Sequence, residues 1–555
     1  MKHSQKIIIA CALAITTFTS MHIQGRCATC TTCTSPVFIP RPQGLNSAAL
    51  YNPFYYKCCD ATIDASWTFN AGYRYERTWK GKRLAQCLFG CDTLNFEGQS
   101  VTEHNAPQFM EAENFGLSRY YSGSINFDPL IENHCIDFSG RYEFGSWLDC
   151  LDGLYGAINA SLVTARWDLR ACQTESKFQS VYPENPMLVP QCWQSTSAEE
   201  TALRDIKTAL SGMYSFGQLQ NGPMKYGRFI FDKAQTSTQL ANIDLLLGYD
   251  LVRCDGYHCG IFVKTVAPTG NRPNPETVFA PLIGNAHHWE LGGGVDAHYD
   301  LWCCDDQCLT AYLVGGITHL FNDTQWRTFD LNGCTMSRYD IVKQFDDQKT
   351  NYVGKLAWAS DFTTRQVKSH FNMQGDAAIK LMYRTAGWAF GVGYNVYGRS
   401  TESITPLIDD CHTQTAYGIK GTTGVCVKCA STFPPTTPSL NATQSGACVS
   451  KGAQAASVIV DNRQNLFPFC NTWNDQGVEN SVNPITLNPL TDINYQGAPR
   501  QITHKVFGHI DYQWDQSCQQ PYIGIGGECE FAQNGSCAAC TANQWGIWLH
   551  GGLTF

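Results

Sequence analysis

The sequence has little charge and no long apolar run. Only 16% of the 555 residues are Asp, Glu, Lys or Arg. Beyond the N-terminus, no run of about eighteen apolar residues occurs that could cross a bilayer as a helix. The net charge is −9, and no cluster of Lys and Arg offers a face that would displace counterions from a nucleic acid. These absences exclude a helical membrane protein and a nucleic-acid-binding protein.

Catalytic motifs are missing as well. The sequence contains neither a G-x-S-x-G nucleophile elbow nor an H-E-x-x-H metal motif. His287 and His288 stand beside Glu290, but adjacent residues on a strand point to opposite faces and cannot share one metal ion. We expect loop or interfacial histidines instead. The sequence predicts a protein that is not an enzyme and that has no cofactor and no metal site.

The first residues predict export. Lys2, His3 and Lys6 precede an apolar stretch from Ile7 to about Thr17, which is the layout of a signal peptide. We assign residues 1–25 to it, with cleavage between positions 20 and 28. A lipoprotein attached at Cys11 is the alternative. The mature chain then begins with a cysteine-rich segment, residues 26–64, which we expect on the periplasmic side.

Cysteine is abundant, with 27 in the chain and an even number once Cys11 is removed. An even count in an exported protein indicates disulfide bonds. The two C-x-x-C pairs leave a zinc site open as an alternative, and a thioredoxin-like redox role lacks its strand-to-helix context. The disulfide candidates are Cys27, Cys30, Cys33, Cys58, Cys59, Cys87, Cys91, Cys303, Cys304, Cys308, Cys426, Cys429, Cys518, Cys537 and Cys540.

Alternation of apolar and polar residues is the strongest pattern in the chain. "ASWTFNAGYRYERTW" places Trp67, Phe69 and Tyr73 on one face, with polar residues between them. The same alternation recurs in "CIDFSGRYEF", "ANIDLLLGYDL" and "WELGGGVDAHYDLW". Each stretch has ten or more residues, as a tilted strand needs to cross a bilayer, and aromatic residues cluster near the ends. These are strands with one face toward lipid.

Connection lengths predict the topology. Twelve strands are separated alternately by short turns and by longer connections, of which the longest are 80–133, 170–238, 322–371 and 400–499. This predicts an all-β fold, a transmembrane antiparallel β-barrel of the bacterial outer membrane over residues 65–555, with about 12–16 strands, an even number, and long extracellular loops. A soluble sandwich of strands is the alternative.

The chain ends on a strand without charge, "QWGIWLHGGLTF". In lipid no backbone group can stay unpaired, so this last strand has to pair with the first. The residues expected to face lipid there are Trp545, Ile547, Leu549, Leu553 and Phe555.

One connection breaks the alternation. "STSAEETALRDIKTALSGM" has Ser197 three residues before Glu200, a capping box, followed by apolar residues at helical spacing. It predicts one short helix in the 170–238 loop. The helix packs on the barrel rim or folds into the lumen.

Five phrases resemble the major outer membrane protein type porins of Chlamydia-related bacteria: "HCGIFVKTVAPTGN", "NAHHWELGGGVDAHYDLW", "NMQGDAAIKLMYR", "WAFGVGYNVYGRS" and "HIDYQWDQSCQQPYIGIGGECEF". The high cysteine content fits the same group. The resemblance implies a porin that is also part of a disulfide-linked envelope, with other cysteine-rich envelope proteins as partners. It implies no catalytic residue.

Two functions remain open. In the first, a porin, inward charges line a path for small hydrophilic solutes. In the second, a structural or adhesive surface protein, the barrel is plugged and does not conduct. Outer-membrane lipid, and possible copies of the chain itself, are the other expected partners. The predicted lining residues are Arg74, Glu76, Arg141, Glu143, Asp244, Glu290, Asp296, Lys380 and Arg384.

Overall fold

The computed structural model describes residues 35–50, 67–97, 110–115, 117, 121–146, 152–174, 177–178, 205–213, 223–254, 256–304, 306–332, 336–345, 352–407, 416–419, 473–474, 477–478, 487–514, 520–533 and 540–554. Several predictions lie outside these residues. They are the signal peptide, the attachment at Cys11, Phe555 and the disulfide candidates Cys27, Cys30, Cys33, Cys58, Cys59, Cys426, Cys429, Cys518 and Cys537.

Twelve long antiparallel strands form the fold. They are β1 (Trp67–Trp79), β2 (Leu130–Glu143), β3 (Leu154–Asp168), β4 (Gln235–Cys254), β5 (Tyr257–Ala267), β6 (Glu290–Cys304), β7 (Gln307–Thr328), β8 (Thr364–Thr385), β9 (Trp388–Arg399), β10 (Gln501–Gln513), β11 (Gln520–Ala532) and β12 (Asn543–Thr554). Each strand pairs with the next one along the chain, and β12 pairs with β1. The predicted all-β barrel with an even strand count is confirmed.

Pairing between the chain's first and last barrel strands closes the wall. The register runs from Thr68 opposite Thr554 to Trp79 opposite Asn543. The closed sheet therefore has no edge with unpaired backbone groups, which is the condition for a sheet in lipid. On β12 the side chains of Ile547 and Leu549 are exposed, while those of Trp545 and Leu553 are partly exposed.

The outer face of the wall is apolar. On β4, Leu245, Leu247 and Tyr249 are each about half exposed, whereas the preceding residue, Asp244, is buried. Exposed tryptophans form two bands, with Trp67, Trp302, Trp388 and Trp514 near one end of the barrel and Trp79 and Trp289 near the other. An apolar band between two aromatic girdles is the exterior of a membrane barrel. No helix among the described residues is long and apolar enough to span a membrane.

The two barrel ends differ in the length of their connections. Short turns join β2 to β3, β4 to β5, β6 to β7, β8 to β9 and β10 to β11, and we call this the turn side. The other six connections lie at the opposite end, the loop side, as predicted from their lengths. β7 and β8 are longer than predicted because their loop-side halves also pair with each other, from Asp323 opposite Ser369 to Thr328 opposite Thr364.

The loop side carries smaller elements. The helices are α1 (Ser47–Leu50), α2 (Gly81–Phe89), α3 (Ile206–Ser211) and α4 (Ala359–Thr363), with 3₁₀ turns at Ala112–Phe115 and Ser337–Tyr339, and on the turn side at Phe144–Ser146. One loop sheet contains Thr93–Glu97, Met110–Glu111, Tyr121–Phe127, Ala171–Gln173 and Lys177–Phe178. A second loop sheet contains Ile341–Phe345, Tyr352–Trp358 and Ala416–Ile419. Trp473–Asn474 pairs with Gly477–Val478, and Glu402–Pro406 pairs with β8. α1 is the exception to this placement and is described below.

The predicted loop helix is present in part. The described helix α3 has Asp205 as its N-cap, whose carboxylate accepts a hydrogen bond from the Thr208 backbone at 2.7 Å. It ends at Gly212, which has a positive φ of 64°. Ile206 and Leu210 are buried in the loop-side apolar core, so α3 packs among the loops and not inside the barrel. The predicted capping box at Ser197 and Glu200 lies outside the described residues.

The facing of β4 gives a direct stability test. Leu245 lies mid-strand and Leu251 near the turn-side end, on the same outer face. A lysine at a lipid-facing midplane position costs about 2–4 kcal/mol, falling to about 0–1 kcal/mol near the interface. We therefore expect Leu245→Lys to lower the free energy of unfolding more than Leu251→Lys, measured by reversible urea unfolding in lipid. Equal losses would contradict the assigned membrane position of this strand.

Candidate functional site in the barrel lumen

The inner wall of the barrel is charged. All nine predicted lining residues lie on inward faces of their strands. Glu143 and Arg384 are partly exposed and the other seven are buried. The predicted lining set leaves out further inward charges, which the same alternation marks. They are Asp137, Asp250, Lys264, Asp376, Arg399, Lys505, Asp511, Glu528 and Glu530.

Residues 35–50, which we call the lumen segment, run inside the barrel. The Ser35 backbone donates a hydrogen bond to the Cys87 carbonyl on the loop side at 2.9 Å. The Arg399 guanidinium donates to the Ile39 carbonyl at 2.8 Å. Further along, Ala48 and Ala49 of α1 belong to a buried cluster with wall residues that include Tyr312. Residues 35–50 of the predicted N-terminal periplasmic segment thus lie in the lumen, where their polar side chains contact charged wall residues.

Arg41 holds the lumen segment to the wall. Its Nη2 atom lies 3.0 Å from Asp376 Oδ1, and its Nη1 atom lies 3.1 Å from Glu530 Oε1. Nη1 also donates to Asn395 at 2.9 Å. These three partners stand on β8, β11 and β9, so one guanidinium joins three strands. Because the ion pairs are buried, removing Arg41 would leave two carboxylates without this charge partner.

A second group of contacts lies deeper in the lumen. The Asn46 amide is 3.2 Å from both carboxylate oxygens of Glu528. The Ser47 backbone donates to Asp376 at 2.9 Å, and its hydroxyl donates to the same oxygen at 2.5 Å. The segment is thus held by hydrogen bonds from successive residues and not by a single anchor.

Arg74 is the most buried cation of the wall. Its Nε atom lies 3.0 Å from Asp137 on β2, and its Nη1 atom contacts Glu76. Nη2 donates to the Gln43 carbonyl of the lumen segment at 2.8 Å. Ser161 on β3 donates to Asp137 at 2.6 Å, which extends the network to a third strand. The inner wall is therefore a lattice of compensating charges that includes the lumen segment.

Two small cavities border the lumen segment. A cavity of about 20 Å³ is lined by residues that include Arg41, Arg74 and Lys505. A second cavity of about 20 Å³ lies between Ser47, Lys264 and Asp376. Each has room for about one water molecule. At these two places the described residues leave little free space beside the lumen segment.

An ion pair on the loop side sits above the membrane band. Burial by itself raises the pKa of the Glu402 carboxyl, but the Arg327 guanidinium 2.9 Å away outweighs it. Hydrogen bonds from the Ala498 backbone and the Ser369 hydroxyl act in the same direction, so that the pKa lies below its usual value. Glu402 is therefore charged at neutral pH and ties β7, β8 and the loop before β10 together.

The histidines considered in the sequence lie in the loop before β6, as expected. His287 has a positive φ of 69°, so the two histidines lie in a loop and not on a strand. Their side chains are therefore not forced to opposite faces by strand alternation. His288 is buried, with Nδ1 2.8 Å from the Phe321 carbonyl. Glu290 points into the lumen, where Asn285, Thr318 and Gln374 each donate a hydrogen bond to it at 2.7 Å.

Two disulfide bonds are present among the described residues. Cys87 of α2 is bonded to Cys540, which precedes β12, so the bond spans the seam between β1 and β12 on the loop side. Cys303 is bonded to Cys308 across the turn from β6 to β7. The hairpin register places these two disulfide candidates opposite each other, so this pair is bonded within the barrel. Cys91 and Cys304 are in neither bond, and Cys172, Cys254 and Cys529 are exposed thiols that the candidate set omitted.

Comparisons with known proteins find similar barrels. An outer membrane channel from Pseudomonas putida F1 is 9% identical, covers 90% of this chain and 98% of its own, and gives a TM-score of 0.32. A Pseudomonas aeruginosa FadL homologue is 9% identical, with coverages of 94% and 98% and a TM-score of 0.27. The Pseudomonas putida toluene transporter TodX is 7% identical, with coverages of 94% and 98% and a TM-score of 0.29. No protein-family model and no curated protein matches the sequence.

The lattice around Arg74 predicts a large effect for a single substitution. Removing one partner of a buried ion pair costs about 3–5 kcal/mol, because the remaining charges stay buried. We expect Arg74→Gln to lower the free energy of unfolding by about this amount. Arg77→Gln on the same strand is the matched control, since the Arg77 side chain is 39% exposed and lies 3.7 Å from Glu132, and a pair at the surface contributes about 0–1 kcal/mol. Urea unfolding of both variants in lipid measures the difference, and similar losses would contradict a buried lattice.

Proposed function

We propose that this protein is a porin of the bacterial outer membrane for small hydrophilic solutes, and that the lumen segment is its plug. The observation that carries the proposal is the inner wall. Ten carboxylates and seven Lys or Arg side chains are buried on inward faces of the barrel strands. Replacing a buried ion pair by apolar residues is often neutral or stabilising. An apolar filling would therefore serve a permanently solid barrel at least as well, whereas a lumen that fills with water needs polar and charged groups on its wall.

The contacts of the plug also fit a part that moves. Arg41, Asn46 and Ser47 are held by ion pairs and hydrogen bonds, which water replaces when the segment leaves. Within the described residues no covalent bond joins residues 35–50 to the wall. Conduction through this barrel therefore depends on displacement of the lumen segment.

A structural, non-conducting surface protein is the second candidate. The observation in its favour is the presence of residues 35–50 inside the barrel, with two cavities of only about 20 Å³ beside them. In that case the charge lattice would hold the barrel rigid, and the loops on its outer end would be the functional part.

The proposed setting follows from the barrel and the sequence. A cleaved signal peptide exports the chain, and the barrel inserts in the outer membrane with lipid around its apolar band. Small hydrophilic solutes are the proposed cargo, because the lining offers charges and hydrogen-bonding groups. Further copies of the chain are the proposed partners in an oligomer.

Conductance across a planar bilayer tests the porin. We expect deletion of residues 35–50 to raise single-channel conductance strongly and Arg41→Gln to raise the open probability, because both remove the ion pairs of Arg41 with Asp376 and Glu530. Arg272→Gln is the matched control, since this exposed loop arginine pairs with Asp323 away from the lumen. A folded deletion variant that does not conduct would support the structural function instead.

We also propose that the barrel is linked to other cysteine-rich envelope proteins by disulfide bonds. Cys254 is exposed at the turn side and Cys172 at the loop side, and neither is in a disulfide bond. Both can therefore meet a thiol of another protein. Cys529 is exposed too, but it lies on the outer wall, where lipid surrounds it.

Gels of envelope extracts without reductant, with free thiols blocked at lysis, measure this linkage. We expect high-mass complexes that collapse to the monomer with reductant. Cys254→Ser and Cys172→Ser should weaken these complexes, and Cys529→Ser should leave them intact. A monomer both with and without reductant would contradict the cross-linking role. The disulfide bonds would then lie within the barrel.

A further inference from the structure

Three potential metal ligands meet on the inner wall in the turn-side half of the barrel. Asp250, His258 and Asp296 stand on β4, β5 and β6, three neighbouring strands. One ligand atom from each lies within 4.8 Å of the other two. His258 Nε2 is 2.8 Å from Asp250 Oδ1 and 3.8 Å from Asp296 Oδ2. The lumen segment makes its wall contacts elsewhere, so this cluster has no part in holding the plug.

Gly260 leaves a cradle at the centre of this cluster. In the strand register Gly260 is directly opposite Asp250 on one side and Asp296 on the other. A Cβ atom at Gly260 would lie 2.9 Å from Asp296 Oδ1, 3.0 Å from Asp250 Oδ1 and 3.2 Å from His258 Nε2. The three ligand atoms thus converge on the space that any other residue at this position would fill.

The donor set selects the type of ion. An imidazole and two carboxylates suit a transition metal such as Zn²⁺, with a solvent molecule in the fourth position. Ca²⁺ and Mg²⁺ prefer oxygen ligands throughout, so the imidazole disfavours them. Zinc bonds of about 2.0–2.2 Å require ligand atoms a little over 3 Å apart, close to the spacing found here.

Neighbouring groups orient the ligands. The Tyr155 hydroxyl donates to Asp296 at 3.0 Å, which fixes that carboxylate. His298 is opposite His258 in the register, with ring centroids 5.5 Å apart. It is 4% exposed, and its Nδ1 atom has no hydrogen-bond partner among the described residues. A second imidazole with available nitrogen thus stands beside the cradle.

The charge balance also admits a cation. Arg141 lies 4.0 Å from both Asp250 and Asp296, beyond hydrogen-bond distance, and 3.7 Å from Glu143. Arg253 pairs with Glu143 at 3.3 Å. Arg141 therefore makes no direct hydrogen bond to either ligand carboxylate, which leaves their oxygen atoms open to a cation.

We propose that Asp250, His258 and Asp296 bind a divalent transition-metal ion, with Zn²⁺ as its chemical type, in the cradle kept open by Gly260. The bound ion connects β4, β5 and β6 at the turn side of the lumen. This site goes beyond the porin function and does not depend on conduction. It also differs from the sequence-based expectation of no metal, which considered only ligands adjacent in the chain.

Zinc binding to the purified, folded full-length chain tests the site. The protein is stripped with a chelator in detergent without reductant, then dialysed against Zn²⁺ alone, and bound metal is counted. Gly260→Ala fills the cradle without removing a ligand, and His258→Gln removes one. Gly398→Ala is the matched control, because a Cβ there meets only the Gln501 carbonyl at 3.9 Å. Heat-dependent gel migration verifies that each barrel is folded.

We expect Gly260→Ala and His258→Gln each to bind one Zn²⁺ fewer per chain than the unaltered protein, and Gly398→Ala to bind the same number. Co²⁺ in place of Zn²⁺ should give a ligand-field spectrum that these two variants lose. If Gly260→Ala does not fold, His258→Gln alone decides the outcome. Unchanged Zn²⁺ binding in a folded His258→Gln or Gly260→Ala variant would overturn the proposal.

Discussion

Pairing of β12 with β1 is the contact on which the rest of the structure depends. Lipid offers no hydrogen-bond partner, so an open sheet of twelve strands would expose a row of backbone groups at each edge. The register from Thr68–Thr554 to Trp79–Asn543 removes both edges. Closure then divides every strand into an outer face that meets lipid and an inner face that does not. The Cys87–Cys540 bond lies over the same seam and joins the loops above it.

Closure also creates the electrostatic problem that the lumen solves. The inner faces bring carboxylates and cations from opposite walls into a narrow space, where each charge needs a partner. Arg74 meets this need within the wall, through Asp137 and Glu76. Arg41 meets it from the lumen segment, through Asp376 and Glu530. The segment is therefore part of the charge balance. Its removal exposes the carboxylates of Asp376 and Glu530 to water and solutes in the lumen.

The strands and their facing could be predicted from the sequence because alternation is a local signal. Leu245 faces outward and Asp244 inward, as their positions in the pattern indicate. The lumen segment carries no such signal. It does not alternate, and the partners of Arg41 are 335 and 489 residues away in the chain, so residues 26–64 resemble a linker. The Cys303–Cys308 bond follows from hairpin register, which the sequence pattern did not supply. Cys87 and Cys540 are 453 residues apart and meet only because the barrel closes.

The position of Arg41 inside the barrel is the central claim, and a zero-length cross-link measures it most directly. In an Arg41→Lys variant, carbodiimide should couple the new amine to the carboxyl group of Asp376 or Glu530, since the present guanidinium nitrogens lie 3.0 and 3.1 Å from them. Mass spectrometry of digested, folded protein should find peptides containing position 41 joined to peptides from β8 or β11. A position 41 that stays uncoupled, and that a bulky water-soluble amine reagent modifies instead, would contradict a segment held inside the lumen.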